Sequence, residues 1–168
     1  MVDVAEEARR LDIDLPMNRA TLLAAMTFLD AETSFAVVAE TPEPPVRTLS
    51  RITYARTARV EDALFVFVLR VGSVAAAIRS ANPGTLVDPH LGATLFIELP
   101  SLVGGRPLAL RGPGIESSTR FEPDIAGEWI EARAERNIEF PMGVDILFVD
   151  ESCRFAYLPR TTQISEEP

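Results

Sequence analysis

Lysine is absent: all sixteen basic residues of this 168-residue chain are arginine. Without lysine there is no Schiff base with pyridoxal phosphate or a carbonyl substrate, and no Walker-A lysine to hold a phosphate. Cysteine and histidine occur once each, as Cys153 and His90. A single cysteine forms no internal disulfide and cannot ligate an iron–sulfur cluster, and such usage suits a reducing compartment. Neither residue has partners nearby in sequence to complete a zinc set, so no metal and no cofactor is expected. No apolar run approaches the roughly 18 residues that a membrane span needs. The first seven residues hold Asp3, Glu6 and Glu7, and no apolar stretch of a secretory signal follows them. These absences together lead to the expectation of a cytoplasmic chain.

Acid outweighs base, with a formal charge of −9. That balance argues against nucleic acid as a partner, because phosphate contacts need clustered cations. Hydrophobic residues make up 47% of the chain, enough for one ordinary core without disulfide or metal support. We therefore read residues 1–168 as a single domain, with an acidic N-terminal arm or short first helix at 1–15 and a polar tail at 163–168.

The pattern of apolar residues predicts an α/β fold. Ala20–Leu29 reads as a buried helix and Thr33–Ala39 as a strand, followed by a proline-rich loop over Glu40–Pro45. Val46–Ala58 has the mixed polarity of a helix. Leu64–Leu69 (LFVFVL) is a continuous apolar run, as in an interior strand covered on both faces. Gly72–Ala81 reads as a short helix. Ala93–Glu98 and Pro107–Arg111 flank a turn at Leu102–Gly105 and read as one hairpin, and Asp145–Val149 with Arg154–Leu158 as another. Asp124 is placed to cap a helix running to about Asn137, with Trp129 and Ile130 inward. The expected architecture is a three-layer domain, helices on a mixed β-sheet with C-terminal hairpins.

Several residues carry possible chemistry. His90 sits with Asp88 in a turn, without further ligands in reach. Cys153 lies at a hairpin end between acids and Arg154, a poor setting for an activated thiolate. Three phrases in the last third combine backbone-restricting residues with polar ones: Gly112-Pro113-Gly114-Ile115, Phe140-Pro141-Met142-Gly143-Val144-Asp145 and Leu158-Pro159-Arg160-Thr161-Thr162. Proline fixes φ and glycine permits φ > 0, so each phrase specifies a turn. Gly112, Pro113, Gly114, Pro141, Gly143, Asp145 and Pro159 are read as structural turn residues. In the first phrase Pro113 removes a donor that a phosphate-cradling loop would need. Arg160 with the hydroxyls of Thr161 and Thr162 is a candidate anion clamp, the competing reading being an ion pair between Arg160 and a carboxylate such as Asp145. No catalytic constellation stands out.

These phrases, with Gly92-Ala93-Thr94-Leu95 and Ser101-Leu102 followed by Gly104-Gly105-Arg106, occur in the order and spacing of one family. The chain resembles the PhnH family, which contributes a subunit to the bacterial carbon–phosphorus lyase system. It resembles a short form without the family's opening segment, and it has His90 and Leu91 where the family tends to place a glutamate before Gly-Ala-Thr. The resemblance implies a cytoplasmic homodimer, similar in fold to part of the pyridoxal-phosphate transferases but without that cofactor. It implies membership of a core complex with the G, I and J subunits, which converts an alkylphosphonate and ATP to ribose 1-alkylphosphonate 5-triphosphate and adenine. The expected role is an accessory subunit that makes no bond itself. The alternative is a binding protein that grips a phosphonate or nucleotide phosphate through Arg160, Thr161 and Thr162 at a dimer interface.

Overall fold

The computed structural model describes residues 1–166. In chain order its elements are β1 (Val2–Asp3), α1 (Ala5–Arg9), α2 (Arg19–Phe28), β2 (Ser34–Val38), α3 (Glu43–Thr53), β3 (Arg56–Thr57), β4 (Phe65–Val68) and α4 (Val74–Ser80). There follow β5 (Thr94–Leu99), β6 (Leu108–Arg111), β7 (Thr119–Phe121), α5 (Trp129–Arg136), β8 (Asp145–Asp150), β9 (Arg154–Leu158) and β10 (Gln163–Glu166). Among the described residues, seven strands form a mixed sheet in the order β1-β9-β8-β5-β4-β2-β3, and three form a small sheet in the order β10-β6-β7. β3, β2, β4, β5 and β8 run parallel, with β9 antiparallel to β8 and to β1.

The central strands are mostly apolar because each face meets its own layer, and the two faces differ in kind. Phe35, Phe67 and Phe96 alternate onto one face, where they pack with Leu22 and Ala25 of α2 and Leu49 of α3. Phe67 and Phe96 are register partners on β4 and β5, their rings stacked at 4.8 Å between centroids. On the other face Val66, Val68, Leu95, Ile97, Ile146 and Phe148 meet Ile78 of α4, Trp129 of α5, and Leu108 and Phe121 of the small sheet. Full burial of each such side chain stabilises by about 2 kcal/mol. Helices α2 and α3 thus cover one face, while α4, α5 and the small sheet cover the other. The expected α/β architecture with helices on a mixed sheet is present, as is the hairpin of β8 and β9.

Four local expectations are corrected. Ala93–Glu98 and Pro107–Arg111 do not pair: both edges of β5 are taken by β4 and β8, and β6 lies in the other sheet. The backbone N–H of Leu102 is drawn to buried Asp150 (3.2 Å), and a Cβ at Gly105 would strike the carbonyl of Pro123, so the chain leaves the main sheet here. Prolines 44 and 45 do not lie in a loop. They fill the first turn of α3, where a fixed φ suits the helix and a missing N–H costs nothing. Asp124 caps no helix: Gly127 at φ +94° interrupts the path, and α5 begins at Trp129. The tail expected at 163–168 is in part a strand, since Gln163–Glu166 pairs with β6, while residues 167 and 168 lie outside the described residues. At the other end the short first helix is present as α1, which packs on α2, and Val2–Asp3 pairs with β9.

Candidate functional site

Two of the three phrases and Gly92 converge on Arg160, and the third reaches the neighbouring Thr162. The sequence places this residue just past β9, beside the start of β8 in the same hairpin. Asp145, the first residue of β8, takes the Arg160 backbone N–H on Oδ1 (2.7 Å) and its Nε and Nη2 on Oδ2 (3.1 and 2.6 Å). Nη1 donates to the carbonyls of Pro89 (2.8 Å) and Pro141 (3.4 Å). The ion pair is largely withdrawn from solvent, its side chains 16% and 14% exposed. A single guanidinium therefore ties together the loop before β5, the loop before β8 and the end of β9.

The glycines make this convergence possible. A Cβ on Gly92 would meet the carbonyl of Gly143 and lie 2.7 Å from Nη1 of Arg160. Gly143, at φ +143°, passes Asn137 so closely that a Cβ would sit 2.7 Å from its Oδ1. The peptide bond before Pro141 is cis. Gly112 closes the circle: its missing Cβ would touch Cα of Thr162 at 3.2 Å. The turn after β6 is closed by a bond from the Ile115 N–H to the Gly112 carbonyl (3.1 Å), with Gly114 at φ +84°. No helix follows it directly, in keeping with a turn that leaves a strand.

Two residues that sequence reasoning passed over complete the site. Asn137 stands at the C-terminal end of α5, its Oδ1 accepting the Val144 N–H (2.7 Å). Its Nδ2 donates to the carbonyls of Val144 and Arg160 at 3.2 and 3.3 Å. One turn earlier, Arg133 is 4% exposed and bonds the Pro159 carbonyl through Nη2 (2.5 Å). Its Nε has no hydrogen-bond partner among the described residues. Burial draws its pKa down to about 10, against the opposing charge of Asp145. The available signal was the spacing: Arg133 and Asn137 follow Trp129 at successive four-residue steps, on the inward face of α5.

A cavity of about 430 Å³ opens beside this junction, lined by Arg133, Arg160, Thr161, Thr162, Phe140 and Met142 among others. Thr162 is buried and Thr161 exposed. The clamp candidates thus share one cavity, with most donors of Arg160 held by protein acceptors.

The remaining candidates lie elsewhere. His90 is exposed in a single helical turn over Pro89–Leu91. Cys153 turns the β8–β9 hairpin at φ 60° and lines a separate cavity with Asn18, Arg19 and Glu98. Burial raises the Glu98 pKa, only partly offset by bonds that include the Asn18 N–H at 2.7 Å. Among the described residues no group of three or more His, Cys, Asp or Glu is placed to hold a metal, and no helix is long and apolar enough to cross a membrane.

Fold and site together define an α/β domain whose most specific residues are spent on a buried arginine junction. The chain belongs to the family of the bacterial phosphonate metabolism protein PhnH, which it matches over residues 2–165. It is 34% identical over 153 residues to a putative C–P lyase subunit protein, HtxG, of Stutzerimonas stutzeri, a match covering 87% of this chain and 72% of that protein. It is 33% identical over 85 residues to the PhnH subunit of the alpha-D-ribose 1-methylphosphonate 5-triphosphate synthase of Rhizobium meliloti, covering 50% of this chain and 42% of that subunit.

Proposed function

We propose that this chain is an accessory subunit of a carbon–phosphorus lyase core complex, acting in organic phosphonate breakdown without making a bond itself. In this reading the complex joins an alkylphosphonate to the ribose of ATP with loss of adenine. The chain works in the cytoplasm as a homodimer bound to the G, I and J subunits. The relation to part of the pyridoxal-phosphate transferase fold belongs to the same proposal.

The observation that carries the assembly role is an apolar surface on the joined loops. The loops holding residues 83–91 and 138–143 are tied by the Gly143 N–H to the Pro83 carbonyl (2.8 Å) and by Arg160. On them Val87, Ile138 and Phe140 are 86%, 85% and 75% exposed, and Leu86 is 61% exposed. Exposed apolar side chains on two loops braced to each other suit a contact surface. The relatives named as C–P lyase and synthase subunits support partners drawn from such a complex.

Growth tests the process. A bacterium deleted for its own PhnH-family gene and given this one should recover growth on methylphosphonate as sole phosphorus source. Failure of a well-expressed, folded chain to restore growth counts against the reading.

A further inference from the structure

Arg133 and Arg160 line one cavity at the junction of α5, β8 and β9, and the single carboxylate of Asp145 acts on both. That carboxylate is committed to Arg160 by three hydrogen bonds. Among the described residues Arg133 has a single hydrogen bond, to the Pro159 carbonyl, and its Nε is unpartnered. A buried cation without a counter-ion is costly, and proteins generally pair it or place it against a bound anion. Burial lowers the Arg133 pKa only to about 10, so the charge persists at neutral pH.

We infer that the cavity beside Arg133 binds a compact oxyanion carrying a short apolar group. Arg133 lines this cavity together with Thr161 and Thr162, whose hydroxyls complement a phosphonate, phosphate or carboxylate head. Ile130, Phe140, Met142 and Ile164 provide apolar wall for the other end. At about 430 Å³ the space is within the range of small-molecule sites. Arg133 is the main cation here, Arg160 contributing what its protein bonds leave free. The inference stands on this charge count and does not depend on the assembly reading.

Calorimetry of the whole purified chain at fixed ionic strength tests it, with methylphosphonate, inorganic phosphate and acetate as probes and sodium chloride as control. We expect saturable binding of an oxyanion above the chloride control, and the order of the three probes identifies the head group. Arg133→Gln should weaken it by about tenfold or more, as for loss of a charge-assisted bond, and Thr161→Val by about threefold. No saturable binding of any probe overturns the inference. So does unchanged affinity in both variants, or in Thr161→Val alone if Arg133→Gln fails to fold. If no probe binds but Arg133→Gln abolishes capture of the G, I and J subunits, the cavity receives a partner's carboxylate. That result overturns the small-ligand inference and leaves the assembly reading standing.

Discussion

Asp145 and Arg160 are bound to each other through three hydrogen bonds, two from the side chain and one from the backbone of the arginine. The pair fixes both ends of the β8–β9 hairpin, and through Nη1 it fixes the loops that precede β5 and β8. Three turns far apart in sequence thus meet at one group.

Removing either partner leaves the other in a partly buried site without its counter-charge. Asp145→Ala and Arg160→Ala should each lower stability by about 3 kcal/mol. The double variant should cost much less than the sum, because the second change removes the group that the first left unpaired. Urea denaturation of the four proteins measures this coupling. Additive losses would mean that the two side chains act independently.

Gly92 has no room for a side chain, since a Cβ would press on the Gly143 carbonyl and the Arg160 guanidinium. Gly92→Ala should therefore destabilise by about 2 kcal/mol, within the range for overpacking. Gly72→Ala, at a position with open space around it, is the control and should be close to neutral. Thermal melts of both decide it.

Acid should weaken the fold through Asp150. Burial disfavours its charged form, but bonds from the Arg154 side chain and from the backbone N–H groups of Arg154 and Leu102 outweigh that, and the pKa is lowered. A carboxyl depressed in the folded state contributes stability that is fully present above its unfolded pKa, about 3.9. That contribution is lost as pH falls through the folded value. Wild type should therefore lose more stability below pH about 4 than Asp150→Asn, which lacks this titration. Parallel stability curves with pH would contradict the assignment.

The aromatic face of the sheet is a fourth target. Phe96→Ala removes a fully buried ring stacked on Phe67 and should cost about 4 kcal/mol in chemical denaturation. A loss under about 1 kcal/mol would mean that the core collapses around the gap.

Much of this fold was legible because the signals were local. LFVFVL reads as an interior strand from its unbroken apolar run, and DILFV and RFAYL as a hairpin from two strand-length segments flanking the DES turn. The false hairpin at residues 93–111 had an equally good local signal. It failed because β5 finds parallel partners more distant in sequence, while Asp150 and Pro123 redirect the turn. At the site, the pairing of Arg160 with Asp145 was foreseen as one of two readings of a single phrase. Arg133 and Asn137 were not, since a charged residue on a helix ordinarily faces solvent. Only the packing of α5 against the hairpin makes Arg133 a buried cation.

The measurement closest to the central claim is co-purification. The tagged chain, co-expressed with the G, I and J subunits of a carbon–phosphorus lyase system, should hold all three through size-exclusion chromatography with light scattering. Replacing Ile138 and Phe140 by serine should release them while the chain alone stays folded. Elution of the wild-type chain by itself, with its partners assembled elsewhere in the profile, would contradict the account.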